Sequence, residues 1–367
     1  MFGRVPVARR HILADRRRLA IAVVGIGAAL GLILLLEGLW QGFQKQISAY
    51  EDNVGADLFV GQAGIQNFLG DTSVIPASVV EQVRAVPGVT RADPVTAKAV
   101  ILDLHGKKQF AFLIAAERGG MGGPWRLTAG RQVAADNELV VDSTLAGQHG
   151  VRIGEQMGLL GRQFQIVGLS AETRSWMSSF VFVSPQAAGA ILRSAGTASY
   201  VLVDAVDPEA VAPQIERRTS LTVLRPTTLA ENDRALLSKI MGAPLSLMVA
   251  VAFIAGTLIV ALTVYSAIVE RIREYGIAKA LGAPRWRLFG IVLGQTSVLA
   301  ALGTVAGFLV YQGAFRLVAL ARPQFWVQLT PGTLAMVLAA AGLMALLAAV
   351  IPTLRVTRLD PASVYRG

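Results

Sequence analysis

The 367-residue chain contains no cysteine and only three histidines, which are far apart in the sequence. The absence of cysteine excludes disulfides and thiolate metal sites. The chain also lacks Gly-x-x-x-x-Gly-Lys-Ser/Thr, His-Glu-x-x-His and Gly-x-Ser-x-Gly. It therefore carries no P-loop ATPase motif, and a protease or metalloenzyme has little support. We expect no catalytic, cofactor-binding or metal-binding residues in this chain and no enzyme activity of its own.

Charge is also scarce, because only 16% of the residues are charged against about a quarter in ordinary soluble domains. Four long runs contain no charged residue at all: 19–36, 241–269, 288–315 and 330–354. Each is close to or above the roughly 20 residues that cross a bilayer. The first run could be a cleavable signal peptide, but no small-x-small cleavage site follows it. The sequence therefore predicts four transmembrane helices, at 19–42, 241–269, 286–315 and 330–354.

The net charge of +10 could indicate nucleic-acid binding, but the basic residues follow the predicted helices. They cluster before the first helix, between the second and third, and after the fourth. The positive-inside rule then places in the cytoplasm the N-terminus (1–18), the segment 270–284 and the C-terminus (355–367). This pattern predicts a multi-pass protein of the cell (inner) membrane and argues against a nucleic-acid partner.

The stretch 43–240 lies outside the cytoplasm in this topology and alternates strand-like and helix-like segments. β-Branched runs such as 95–104 indicate strands, and 75–89 and 227–240 indicate helices. Short strands separated by turns fill 126–185, which we interpret as a β-rich insertion between two α/β halves. The predicted fold class is an α-helical membrane protein with four transmembrane helices and an extracytoplasmic α/β domain.

The segment VERIREYGIAKALGAPRWRL (269–288) carries five Lys or Arg residues and two Glu residues between apolar runs. It is typical of a short cytoplasmic helix that ends at Gly-Ala-Pro. Ile272, Ile277 and Leu281 could supply apolar contacts to a docking partner. From the residues alone, a docking helix and a solvated basic loop are equally good interpretations.

The same segment resembles the cytoplasmic coupling-helix motif of FtsX-like/MacB-like ABC transporter permeases. Residues 127–169 resemble the periplasmic core domain of MacB-type proteins, and the ending IPTLRVTRLDPASVYRG resembles the C-terminal pattern of the family. Together with the layout of one helix, an outside domain and three helices, the resemblance covers nearly the whole chain. One departure is Ala278, where a bulkier aliphatic residue is common. The resemblance assigns ATPase coupling to Glu270, Arg271, Arg273, Glu274, Gly276, Ile277, Lys279, Ala280, Leu281, Gly282 and Ala283.

The resemblance implies several partners and a function. A separate cytoplasmic ABC ATPase would carry ATP and Mg, and the permease would pair with a second copy of itself or with a related subunit. A periplasmic adaptor is a further possible partner, and the outside domain would consist of Porter-like halves with a Sabre-like insertion. The expected function is export or extraction of a hydrophobic or amphipathic substrate such as haem, a lipid, a lipoprotein, a drug or a peptide. The alternative is a mechanotransducer that activates a cell-wall hydrolase or a sensor without transport.

Helix one carries two further patterns. Gly27, Gly31, Gly38 and Gly42 form a smooth face that suits close helix packing, although glycine is common in membrane helices for other reasons. A polar stripe comprises Glu37, Gln41, Gln44 and Ser48. The acid at its start, Glu37, indicates either a functional site or a side chain that snorkels to the interface. A carboxylate with aromatic neighbours could receive haem, which is the narrowest substrate hypothesis. The substrate candidates are Glu37, Trp40, Gln41, Phe43 and Gln44.

Overall fold

The computed structural model describes residues 16–358 apart from 105, 176–177, 271, 274, 276, 278–280 and 282–283. The chain divides into two compact units. The membrane unit comprises Met1–Gln41, Ala243–Ala321 and Val327–Gly367, and the large domain comprises Gly42–Gly242 and Arg322–Trp326. Each unit is described by itself below.

The helices of the described residues differ greatly in length. In chain order they are α1 (Arg16–Ile47), α2 (Val79–Arg84), α3 (Ser143–His149), α4 (Pro185–Leu192), α5 (Pro208–Thr219), α6 (Pro226–Glu270), α7 (Arg285–Ala321) and α8 (Pro331–Arg358). The short helices α3, α4 and α5 begin after Asp142, Ser184 and Asp207, whose side chains accept hydrogen bonds from backbone N–H groups of the first turn. Such caps satisfy donors that have no partner within the helix.

Four helices, α1, α6, α7 and α8, are long and apolar enough to cross a membrane. Their candidate spans are Leu19–Ile47, Pro226–Glu270, Trp286–Ala321 and Pro331–Val350. One boundary differs from the sequence prediction, because the helix expected at 227–240 and the span expected at 241–269 form the single helix α6. Pro244 lies inside it. A proline removes one helical hydrogen bond, a cost that transmembrane helices tolerate when neighbouring groups satisfy the freed carbonyl.

The large domain contains one long mixed sheet. The strands are β1 (Leu58–Gly61), β2 (Ile75–Pro76), β3 (Val89–Leu104), β4 (Lys107–Ala116), β5 (Leu127–Gly130), β6 (Glu138–Asp142), β7 (Gln156–Leu159), β8 (Arg162–Ser170), β9 (Arg174–Ser175), β10 (Ser178–Val183), β11 (Thr197–Ala198), β12 (Tyr200–Ala205) and β13 (Thr222–Leu224). The main path runs β13-β1-β12-β3-β4-β10-β6-β8-β5, and β2 pairs with β11 in a separate two-stranded sheet.

The region predicted as a β-rich insertion, 126–185, lies in this same sheet. Its last strand, β10, pairs parallel with β4 in a register that matches Phe180 with Phe112. The strands β6 and β8 then extend the sheet beyond β10. In the part of the chain that the structure describes, the two α/β halves and the insertion therefore share one continuous hydrogen-bonded sheet. Local strand signals could not show this, because β4 and β10 are joined by pairing between distant parts of the sequence.

Helices and loops cover the sheet and create three apolar clusters in the large domain. One cluster packs α2 and α5 against β1, β3 and β12. A second packs α3 and α4 against β4, β6, β8 and β10. The third is rich in aromatic residues and is centred on Tyr50, whose ring stacks on Phe68 at a centroid distance of 4.6 Å. Tyr50 immediately follows α1, so this aromatic cluster fixes the chain that leaves the membrane helix.

Candidate functional site

Among the described residues of the segment between α6 and α7, one side chain, that of Tyr275, is buried. Tyr275 is 5% exposed and belongs to the apolar core of the membrane unit, together with Ile268 and Leu288. Gln295 Nε2 on α7 donates to Tyr275 Oη at 3.4 Å. A buried phenol hydroxyl requires a hydrogen-bond partner, and Gln295 supplies one. This buried contact fixes how the segment is rotated about its own axis relative to α7.

The opposite side of the segment presents apolar side chains to the outside of the unit. Ile277 is 45% exposed and Leu281 is 84% exposed. The Leu281 N–H donates to the Ile277 carbonyl at 3.0 Å, so the two residues are one helical turn apart and share a face. Arg273 is also exposed, and Trp286 at the start of α7 is 71% exposed. We call Ile277 and Leu281 the exposed apolar face.

Several residues expected to couple to an ATPase lie outside the described residues: Arg271, Glu274, Gly276, Lys279, Ala280, Gly282 and Ala283. Of the described ones, Glu270 ends α6, and Arg273, Ile277 and Leu281 are exposed. Tyr275, which the sequence analysis did not select, is the residue that holds the segment. The sequence feature that could have indicated this role is that Tyr275 is an aromatic residue among charged and small residues.

The four glycines of α1 lie at close approaches. In the membrane unit, a Cβ on Gly27 would lie 2.7 Å from Ala306 Cβ, and a Cβ on Gly31 would lie 2.9 Å from the Gly307 carbonyl oxygen. At Gly38 the nearest atom would be Val327 Cγ1, at 2.7 Å. The absence of side chains lets α1 and α7 approach at van der Waals distance, as small residues do in membrane helix pairs.

In the large domain, Gly42 faces the backbone carbonyl of Trp326 so closely that no side chain fits. Residues 322–326 between α7 and α8 pack here against the end of α1. Phe43 and Phe325 make an edge-to-face contact with ring centroids 5.8 Å apart. Gly42 and Phe43 therefore contribute to a local packing arrangement within the large domain.

The substrate candidates on α1 do not form one cluster. Glu37, Trp40 and Gln41 are half-buried in the membrane unit, and within the described part of the chain no hydrogen-bond or ion-pair partner of Glu37 is found. Gln44, in the large domain, instead donates from Nε2 to Ser238 Oγ at 3.2 Å. The next member of the predicted stripe, Ser48, accepts from Arg234 Nη2 at 2.7 Å. Gln44 and Ser48, at the C-terminal end of the stripe, thus contact the N-terminal part of α6.

A buried acid pair lies next to this network and was missed by sequence reasoning. Glu51 is 3% exposed and Asp233 is fully buried. The two carboxyl groups face each other, and Asp233 Oδ2 also accepts from the Phe68 and Leu69 N–H groups at 3.2 Å each. Burial, followed by the neighbouring Asp233 carboxyl, raises the pKa of Glu51 well above its ordinary value. Two adjacent carboxyl groups of this kind hold at least one proton between them.

The sequence did contain a signal for this pair. Leu229, Asp233 and Leu237 are four residues apart and all three are fully buried. An acid in the middle of an apolar helical stripe must lie against protein, so it requires a polar partner. The sequence could not show that the partner is Glu51, which is 182 positions earlier in the chain.

Comparison with family models covers most of the chain. Residues 19–218 match the MacB-like periplasmic core domain, and residues 246–361 match the FtsX-like permease C-terminal model. The large domain is therefore extracytoplasmic, as the sequence analysis expected.

Similar proteins cover the full length. Two uncharacterized ABC transporter permeases, from Mycobacterium tuberculosis and Mycobacterium bovis, are each 29% identical to this chain over 366 residues. These alignments span 98% of this chain and 99% of each relative. A further Mycobacterium tuberculosis protein of the same description is 25% identical over 367 residues, with the same coverage.

Two solved structures are also similar. The periplasmic region of MacB from Actinobacillus actinomycetemcomitans aligns with 12% identity over 48% of this chain and 92% of its own length, at a TM-score of 0.37. The extracellular domain of the noncanonic ABC-type transporter YknZ from Gram-positive bacteria aligns with 11% identity over 47% of this chain and 100% of its own length, at a TM-score of 0.36. The assignment rests on the two family models, which together account for both units. The chain belongs to the FtsX-like/MacB-like family of ABC transporter permeases.

Proposed function

We propose that this chain is the permease subunit of an ABC transporter and that a cytoplasmic ATPase docks on the segment after α6. The observation that carries the proposal is the exposed apolar face, held by the buried Tyr275. Leu281 is 84% exposed, and a large apolar side chain in that state next to the exposed Ile277 favours a protein partner. The ATPase would bind ATP and Mg, and both termini of the permease would be cytoplasmic.

Helix α6 supports the coupling part of this proposal. It begins at Pro226 in the large domain and ends at Glu270, next to the docking segment. A displacement of its C-terminal end is passed along the helix, whose ladder of backbone hydrogen bonds lacks only the donor of Pro244. When ATP binds to the docked ATPase and the segment moves, that movement would therefore reach residues of the extracytoplasmic domain through one helix.

The substrate in this proposal is a hydrophobic or amphipathic molecule that is exported or extracted, and haem is its narrowest version. Glu37 is the residue proposed to meet it, because a half-buried acid without a protein partner in the described residues is free to bind a ligand. The complex would contain two permease copies, or this chain and a related subunit, with an adaptor as a further partner. The alternative is a mechanotransducer that uses the same docking and the same helix to activate a cell-wall hydrolase or a sensor.

The docking step can be tested by co-purification. Leu281→Asp should abolish recovery of the ATPase, since it places a charge at the centre of the exposed apolar face, while the side chain contributes little to the fold. The matched control is Val206→Asp in the large domain, where the side chain is 81% exposed. Normal ATPase recovery with Leu281→Asp would contradict the docking assignment.

The assembled complex then distinguishes transport from signalling. Stimulation of ATP hydrolysis by haem or a lipid, with loss of that stimulation in both Glu37→Ala and Glu37→Gln, would support export and a site at Glu37. Stimulation that survives both substitutions would exclude Glu37 as the site. Hydrolysis that responds to a hydrolase or sensor domain and to none of these ligands would favour the mechanotransducer.

A further inference from the structure

The large domain contains a polar cavity at the end of α1. Its volume is about 240 Å³, and Trp326, between α7 and α8, forms part of its wall. The side chains that matter are those of Lys45, Gln46, Asp52, Glu172, Arg174 and Trp326. None of these residues was selected by the sequence analysis, and the docking of an ATPase does not involve them. We call this cavity the Lys45–Arg174 pocket.

The two carboxylates in the pocket wall, Asp52 and Glu172, are each paired with an arginine that lies outside the pocket. Asp52 Oδ2 accepts from Arg234 Nη2 at 2.9 Å and from Ser48 Oγ at 2.7 Å. Glu172 Oε1 lies 2.6 Å from Arg126 Nη1. Neither arginine lines the cavity. The negative charge of the wall is therefore compensated before any ligand enters.

The two cations in the wall have no such compensation. Lys45 Nζ lies 4.5 Å from the centroid of the Trp326 ring, and Arg174 Nη1 donates to the Pro323 carbonyl at 2.9 Å. Across the described residues, neither side chain forms an ion pair with a carboxylate. A ring face and a backbone carbonyl orient a cation without neutralising it. The pocket thus offers two oriented positive groups to an anion.

Gln46 adds a requirement for a hydrogen-bond donor. The residue is 2% exposed, and its Nε2 donates to the Gln324 carbonyl at 3.0 Å. Its Oε1 is buried and accepts no hydrogen bond from the described protein groups. A buried acceptor of this kind is normally satisfied. A ligand hydroxyl would supply the donor while its anionic group contacts Lys45 and Arg174.

We propose that the Lys45–Arg174 pocket binds a hydroxyl-bearing phosphate ester, with the phosphoglycerol headgroup of an anionic lipid as its source. Phosphate matches the fork of a guanidinium and the point charge of an ammonium. The volume suits a headgroup without its acyl chains. Lys45 is two residues from the end of the candidate span Leu19–Ile47, and Trp326 is of the residue type that favours the membrane–water interface. These two features favour a lipid over a soluble phosphate ester.

The test measures lipid binding by the purified full-length protein. The protein is placed in nanodiscs that contain phosphatidylglycerol at low fraction in phosphatidylcholine, and the bound anionic lipid is counted by native mass spectrometry. The double variant Lys45→Gln/Arg174→Gln should bind phosphatidylglycerol at least about tenfold more weakly, since it loses two charge-assisted contacts. The matched control, Lys107→Gln/Lys108→Gln, removes the same charge from two exposed lysines of β4 and should bind like the wild type.

Two further measurements keep the proposal open to refutation. Lys45→Arg retains the charge and should retain binding, which separates loss of the site from loss of the fold. Equal binding by the two double variants would overturn the pocket assignment. Free glycerol 1-phosphate should compete poorly, and efficient competition that depends on Lys45 would overturn the lipid source in favour of a soluble phosphate ester.

Discussion

The membrane unit and the large domain use glycine for different physical reasons. Among the described residues, the eleven glycines with a left-handed backbone all lie in the large domain, mostly in turns. In the membrane unit, Gly27, Gly31 and Gly307 have helical backbones and lie where α1 meets α7. These eleven positions use the conformational freedom of glycine, whereas the α1–α7 contact uses its lack of a side chain, as Gly42 also does in the large domain. The same residue type therefore predicts opposite responses to substitution in the two regions.

The regions also treat buried polar groups differently. In the membrane unit, Gln295 pairs with the neutral phenol of Tyr275. In the large domain, Glu51 and Asp233 place two ionisable groups against each other. Packing in lipid depends on close contact and neutral hydrogen bonds, whereas a domain in water can bury an acid pair at a cost that depends on pH. Four predictions test this comparison.

The largest expected effect is the all-or-none labelling of the two regions from opposite sides of the membrane. The chain has no cysteine, so a single introduced cysteine gives no background. Val206→Cys and Leu281→Cys replace side chains that are 81% and 84% exposed. An impermeant maleimide should label Val206→Cys in intact cells and Leu281→Cys only after permeabilisation. Labelling of Leu281→Cys in intact cells would contradict the proposed orientation and the docking of a cytoplasmic ATPase.

The second prediction concerns the contact of α1 with α7. Gly307→Leu should lower the thermal stability of the purified protein strongly. A Cβ at this position would lie 3.0 Å from Leu30 Cβ and 3.1 Å from the Gly27 carbonyl oxygen. Overpacking of this kind costs about 1–3 kcal/mol or more. Gly313→Leu on the same helix is the control, because no atom lies within 4 Å of its Cβ position. Equal melting temperatures for the two variants would show that close helix approach is unimportant here.

The third prediction concerns the acid pair and pH. Because the pKa of Glu51 is raised in the folded state, its contribution to the free energy of unfolding is fully present below the ordinary pKa of about 4.5. That contribution is lost as pH rises toward the folded-state pKa. Glu51→Gln should therefore become progressively more stable relative to the wild type in urea unfolding as the pH rises above about 4.5. Glu231→Gln, at an exposed acid on α6, serves as control, and a pH-independent difference for Glu51→Gln would exclude the shared proton.

The smallest effects come from alanine at two open glycines, one in each region. Gly161, in the β7–β8 turn, has φ +81° and no atom within 4 Å of its Cβ position. Gly161→Ala should cost about 1 kcal/mol from backbone strain alone. Gly342→Ala, at an equally open position in the middle of α8, should be neutral or stabilise by up to about 1 kcal/mol. If the melting temperatures of Gly161→Ala and Gly342→Ala shift in the same direction, the two glycines do not serve the different purposes described above.

The sequence by itself determined the parts of this protein that depend on local composition. Uncharged runs located the four long helices, since about 20 apolar residues are needed to cross the bilayer. The run Arg273-Glu274-Tyr275-Gly276-Ile277 and the residues after it carried the family resemblance. The small-residue spacing of α1 identified the positions at which another element approaches closely. Each of these signals lies within a short window of the chain.

Only the tertiary structure decided which distant residues meet. It joined β4 to β10 and so placed the expected insertion in one continuous sheet. In the folded chain Glu51 lies against Asp233, and Gln44 donates to Ser238. Lys45, Arg174 and Trp326 line one pocket. The periodicity of a sequence shows which face of an element is buried, but the partner on that face depends on how elements far apart in the chain pack together.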